Sequence, residues 1–326
     1  MNQSYYARTY EDLGRSPTRL EKVLYAPAVP DWLLAGYFFT VIVGLTRSQP
    51  SQARDGYLLL VLGVLVSFLA GVYWFRLRYE MRASRTAYTP CLAYHLLPLC
   101  ALLTVYFNLR AILPLLNGAL YDETLHRLTI RLLGFEPSLA LEAVTTRFVV
   151  EWFAFFYYSY FFLVASFTFV LIFTSRSEKR LAYFGTGMLL VVTIGHFIYA
   201  FVPGLGPYHY LAHEYDAPLR GGVFYWMVLD TVGRAGAMRD IFPSLHTALP
   251  MFLVFFAWKY YRKVALVTTF FAVNIMGATV VLRWHYAIDV VAGLALALGA
   301  HWAAPRLIEL YQARREQIGL GHLRRW

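Results

Sequence analysis

Apolar runs of bilayer-crossing length alternate with short polar connections along this chain, at about 31–47, 57–77, 92–116, 148–174, 182–203, 244–261, 264–282 and 285–304. Eight such runs predict about eight transmembrane helices, so the expected fold class is an all-α integral membrane protein. One segment breaks the pattern. Around 119–142, leucines at helical spacing mix with Asp122, Glu123, Arg127, Arg131 and Glu142, which predicts an amphipathic helix lying in the interface rather than a span. The first two spans hold no ionisable residue well inside the bilayer and read as an appendage, residues 31–91. The other six form the core, 92–304, with a polar segment, 1–30, before the spans and a basic tail, 305–326, after them.

Lysine and arginine gather in alternate connections. Arg8, Arg15, Arg19 and Lys22 precede the first span; Arg76, Arg78, Arg82 and Arg85 follow the second; further clusters fall at 176–180, at Lys259, Arg262 and Lys263, and in the tail. By the positive-inside rule these segments and both termini are cytoplasmic, and the long 204–243 loop faces a periplasm or lumen. The composition agrees with a membrane protein: 59% of the 326 residues are hydrophobic and 15% charged, with a mean hydropathy of +0.50. The net charge of +10 lies in those short clusters, so nucleic acid is not an expected partner; lipids of the bilayer are. Cys91 and Cys100 fall near or within a span and read as packing residues rather than a disulfide or a metal pair. The first thirty residues lack the apolar core of a signal peptide, so the first span is expected to direct insertion.

Two histidine motifs flank one hydrophobic hairpin: Phe242-Pro243-Ser244-Leu245-His246-Thr247 and Arg283-Trp284-His285-Tyr286-Ala287-Ile288-Asp289. The chain crosses the membrane after the first, turns at its basic residues and returns to the second, so both histidines should meet on one face. Transfer of a phosphoryl group needs a nucleophile, an acid for the leaving oxygen and groups that stabilise the non-bridging oxygens. His285 fits the nucleophile, with Asp289 one helical turn on to orient its ring; the bland reading is a helix-end pair with a structural role. His246 fits the general acid that protonates the departing oxygen and later activates the acceptor, and Pro243 with the Ser244 hydroxyl and nearby free amides could cradle phosphate, or simply cap a helix. Tyr208 and His209 follow a Gly/Pro break at the outer surface and could bind phosphate or head group, or belong to an aromatic belt. Arg283 reads as a phosphate ligand or as an interfacial arginine, and Arg110 as a phosphate clamp or as the partner of a carboxylate such as Glu151. No acidic cluster with ligand spacing occurs in the outer loops, so neither a metal nor a cofactor is expected.

These motifs resemble those of the type 2 phosphatidic acid phosphatase superfamily, Pro-Ser-x-His and a final His-x-x-x-Asp on neighbouring membrane helices. With Leu245 between Ser244 and His246 the chain looks more narrowly like the branch of the inositol phosphorylceramide synthases and their bacterial relatives, over roughly residues 105–300. The resemblance implies a six-helix phosphatase-like core, a phosphohistidine on His285, Asp289 as its orienting partner and His246 as the acid. It further implies a lipid phosphoester as substrate, in a bacterial inner membrane. Two departures stand out. The superfamily's Lys and Arg-Pro motif has no match, Tyr208 and His209 standing in that stretch, and Thr279 occupies the place of an arginine six residues before the last histidine. Two outcomes of the chemistry stay open: transfer of a phospho-head group to a lipid hydroxyl, or hydrolysis of a lipid phosphate or polyprenyl diphosphate. A catalytically silent membrane binding protein is the alternative from another class.

Overall fold

A computed structural model describes residues 16–80, 88–175 and 177–320; Arg8, Arg15, Arg82, Arg85 and the last six residues of the tail lie outside the described residues, as do the side chains of Arg78 and Cys91. The described chain is all-helical, with no strand. In order, the helices are α1 (Arg19–Leu24), α2 (Val29–Arg47), α3 (Gln52–Glu80), α4 (Tyr88–Tyr106), α5 (Leu109–Leu116), α6 (Asp122–Leu133) and α7 (Pro137–Ala140). They continue as α8 (Arg147–Thr174), α9 (Glu178–Phe201), α10 (Pro207–Tyr210), α11 (Val223–Ala235), α12 (Leu245–Tyr260), α13 (Arg262–Val281) and α14 (Ala287–Gln317).

Among the described residues six helices are long and apolar enough to cross a membrane: α2, α3, α8, α9, α13 and α14. The expected 92–116 span is broken. The chain bends by 63° between α4 and α5, and the pair makes a seventh span only if counted together. Asn108 sits at the break, where its side-chain amide donates to the Thr104 carbonyl at 2.8 Å and so caps the end of α4. The first motif's helix, α12, has 16 residues, about 24 Å at 1.5 Å per residue, short of the usual hydrocarbon thickness. The interfacial helix expected at 119–142 is α6, which ends at Gly134, with α7 following.

The bundle is organised around α12, which packs on α13, α14, α9 and α8. One continuous apolar cluster runs from Leu34 and Phe38 of α2, through Val191 of α9, to Phe252 and Phe256 of α12. The two N-terminal spans are therefore packed on the bundle through α2 and α9. At the end of α12 that carries His246, α14 comes so close that a Cβ on Gly293 would stand 2.5 Å from the Ser244 carbonyl oxygen. Only glycine permits that approach, and it draws the two histidine motifs together.

Candidate active site

The second motif owes its shape to the way α13 stops. Arg283 has φ of 66°, a left-handed conformation unusual outside glycine, and the chain then doubles back so that the Trp284 and His285 amides both donate to the Thr279 carbonyl, at 2.9 and 3.0 Å. Thr279 thus holds the histidine turn through its backbone. Asp289 lies in the first turn of α14 and is fully buried. One carboxylate oxygen, Oδ2, accepts the Tyr286 amide at 2.9 Å and stands 3.4 Å from His285 Nδ1. With Nδ1 turned to Asp289, the opposite ring nitrogen, Nε2, is the one presented to the cavity that His285 lines.

The first motif is fastened to the second. The Ser244 amide donates to the Asp289 carbonyl at 3.0 Å, and the Ser244 hydroxyl accepts from Thr247 at 3.2 Å. His246 follows in the first turn of α12. Its ring is held between Tyr157 and Tyr160 of α8, each centroid 4.4 Å away, and lies 5.9 Å from the His285 ring. Spaced i, i+3, the two tyrosines share a face of α8, so a periodicity argument on the 151–160 stretch could have paired them with a site.

A cavity of about 300 Å³ joins these groups; His209, Asp240, His246, Trp284 and His285 line it among aromatic and aliphatic side chains. No lysine or arginine lines it among the described residues. Trp284 Nε1, His285 Nδ1 and Asp289 Oδ1 are buried there without a hydrogen-bond partner. Left so, each such group costs about 1–3 kcal/mol.

The remaining sequence-derived residues fall as follows. Ser244 is fully buried and does not line the cavity; its amide and hydroxyl are engaged within the two motifs. Tyr208 does not line the cavity either, its ring stacking on Trp284 at 4.8 Å, whereas its neighbour His209 does line it. Arg283 points away: it donates to Glu142 at 3.0 Å and to the Ala217 carbonyl at 3.1 Å, over the Tyr215 ring at 3.5 Å. Arg110 donates to the Gly233 carbonyl. The alternative partner expected for Arg110 is otherwise engaged, since the Glu151 carboxylate accepts the amides of Gly222, Phe224 and Tyr225 at 2.6, 3.1 and 2.9 Å. The positive end of α11 satisfies that carboxylate without an arginine.

Two further carboxylates were not anticipated. Asp122, at the start of α6, accepts the Leu205 and Gly206 amides and the Tyr286 hydroxyl, so it ties the 203–209 loop to the histidine turn. Gly206 is required there, with φ of 80° and a Cβ position 2.3 Å from the Trp284 carbonyl oxygen. Asp240 lines the cavity itself, just after Met238, whose φ of 63° is again left-handed. Burial raises the Asp240 carboxyl above its ordinary range, and a hydrogen bond from its own backbone amide, with the nearby His285, offsets only part of that. No local sequence signal marks Asp240, because nothing in this loop has the period of a helix face.

Residues 123–303 match a family model described as the PAP2 superfamily. No curated protein and no solved structure matches the chain.

Proposed function

The chain belongs to the PAP2 superfamily, a membership that fits a phosphatase-type lipid phosphoesterase embedded in a membrane, and from that premise we propose that it works through a covalent phosphohistidine on His285. In this reading Nε2 of His285 attacks phosphorus as the bond to the leaving oxygen breaks, and His246 gives that oxygen its proton. Asp289 keeps Nδ1 protonated and stabilises the positive charge that develops on the ring. The observation that carries the proposal is the buried pair of His285 and Asp289, 3.4 Å apart, facing a cavity shared with His246. No group of three or more metal-ligating side chains occurs among the described residues.

The substrate we favour is a phosphodiester lipid, whose phospho-head group passes to a lipid hydroxyl, as in the branch of the inositol phosphorylceramide synthases. A cavity that no lysine or arginine lines among the described residues suits the single negative charge of a diester better than the double charge of a monoester. Counting α12 and the bent α4–α5 pair as spans gives eight membrane helices, two of them, 31–91, an appendage to the six of 92–304. The cavity then faces the periplasm or lumen, opposite the basic turn of Lys259, Arg262 and Lys263. A cysteine at Ala217 should accordingly be labelled from outside by an impermeant reagent and one at Ser177 should not; the reverse would invert this topology.

The test is incubation of the purified enzyme with phosphatidylinositol and, separately, phosphatidic acid, each labelled at phosphorus, in mixed micelles with a hydroxyl-bearing lipid. A new labelled lipid from the diester supports head-group transfer. Free phosphate from the monoester supports the phosphatase. Turnover of neither, by folded protein, contradicts both and favours a silent binding protein.

A further inference from the structure

We propose that Asp240 is the general base of the second half-reaction, the group that takes the proton from the hydroxyl that resolves the phosphohistidine. The inference rests on the phosphohistidine reading and adds a residue to it.

A carboxylate in a cavity meant for an anionic phosphoester calls for an explanation. Asp240 is not a structural ion pair: no lysine or arginine lines the cavity with it among the described residues, and no side chain there donates a hydrogen bond to its carboxylate. Other carboxylates of this region are spoken for. Asp122 receives two amides and a tyrosine, Glu142 receives Arg283, and Glu151 receives three amides. Asp240 alone of these is aimed at the space shared by His246 and His285, delivered there by a left-handed turn at Met238, itself a lining residue.

Against a bare phosphate such a carboxylate is repulsive. Against a hydroxyl approaching phosphorus it is attractive, because it accepts the O–H hydrogen bond and then the proton. By in-line displacement, leaving and entering oxygens use the same side of phosphorus, opposite the histidine nucleophile. His246, wedged between two tyrosine rings, faces His285 across the cavity and can serve that side as an acid, while Asp240 can serve it as a base. The hydroxyl oxygen forms the new P–O bond as the P–N bond breaks and its electron pair returns to His285 Nε2. The hydroxyl proton goes to Asp240, from which it passes to His246, restoring the acid lost in the first half-reaction. A carboxyl that burial has made more basic is better suited to this task than an ordinary aspartate.

The experiment uses the full-length enzyme and whichever of the two phosphorus-labelled lipids it turns over, with rapid quenching and recovery of acid-labile, protein-bound label. For Asp240→Asn we expect a first turnover at close to the wild-type rate, steady-state turnover lower by about 100-fold, and accumulation of labelled enzyme. Formate should restore steady-state turnover to Asp240→Ala, since a small carboxylate can enter the vacated space. Wild-type steady-state turnover by Asp240→Asn overturns the proposal. So does joint loss of first turnover and label, or failure of both variants to fold, either of which makes Asp240 part of the scaffold. Failure of the underlying reading looks different: wild-type enzyme turning over lipid while neither it nor Asp240→Asn ever carries label.

Discussion

Two buried aspartates, Asp31 and Asp289, sit at opposite ends of the bundle in opposite circumstances. Asp31 begins α2 beside the far end of α14, where Tyr311 donates to the Pro27 carbonyl at 2.5 Å and Arg315 to that of Tyr25. Tyr311 follows Asp289 by 22 positions, about 33 Å along the helix. Asp31 Oδ2 accepts the Ala28 amide at 2.7 Å and the Tyr94 hydroxyl at 2.5 Å, and Arg76 stands 3.8 Å away. Arg76 also donates to Tyr94 at 2.6 Å and lies over its ring. That cluster joins α2, α3 and α4 and leaves the carboxylate with hydrogen bonds and a cation. Asp289 has an imidazole in place of the cation, one unpartnered oxygen, and a neighbouring indole N–H that is also unpartnered. A carboxylate supplied with hydrogen bonds and a cation at one end belongs to assembly of the bundle; one left with an unpartnered oxygen at the other belongs to chemistry.

If this contrast is sound, mutations at the two ends should divide cleanly between activity and stability. His285→Ala should lower turnover at least about 10⁴-fold with little change in melting temperature, and His285→Gln should not restore it, because an amide cannot take up the phosphoryl group. Asp289→Asn should keep measurable activity, reduced by about 10³-fold, since orientation and charge are lost but the nucleophile remains. Wild-type turnover by folded His285→Ala would remove the cavity's claim to be the active site.

At the other end, Asp31→Leu should destabilise the protein by about 3–5 kcal/mol in detergent unfolding, leaving Arg76 without its carboxylate, while turnover per folded molecule stays near wild type. A large loss of specific activity without loss of stability would erase the division.

Arg283 lies between the extremes, one residue from the cavity-lining Trp284 yet bonded away from the cavity. Arg283→Lys should lower activity by about tenfold, because an ammonium cannot bridge Glu142 and the Ala217 carbonyl over the Tyr215 ring. In this arrangement Glu142→Gln should have a similar effect, which kinetic comparison of the two variants would reveal. A strong effect of Arg283→Lys beside a silent Glu142→Gln would return Arg283 to the role of phosphate ligand.

The smallest effect concerns pH. Since burial raises the Asp240 carboxyl, the folded protein holds that proton above pH 3.8, where the unfolded chain has released it, and stability declines as pH rises from there through the folded value. Asp240→Asn should therefore melt a few degrees above wild type near neutral pH, and the gap should close below the ordinary aspartate value. A gap that widens on acidification would reverse the sign of the argument.

Much of this arrangement could be read from the sequence because it depends on local patterns. Apolar run length located the six long helices, the mixed segment after 119 located α6, and the hairpin geometry brought His246 to His285. The break at Asn108 and the shortness of α12 were hidden by hydropathy, which averages over a window and registers neither a capping side chain nor a missing turn. The partners of Arg283, Arg110 and Glu151 were hidden for a different reason: each contact joins residues more than 60 positions apart, a separation that no local periodicity registers. Asp240 escaped notice on the same grounds.

Locating the acid-labile phosphate on the enzyme after rapid quenching with phosphorus-labelled lipid tests the role of His285 most directly. Peptide mapping at alkaline pH should find the label on the peptide that contains His285, in wild-type protein and in greater amount in Asp240→Asn, and should find none in His285→Ala. Label on another residue, or active enzyme that never carries label, would contradict it.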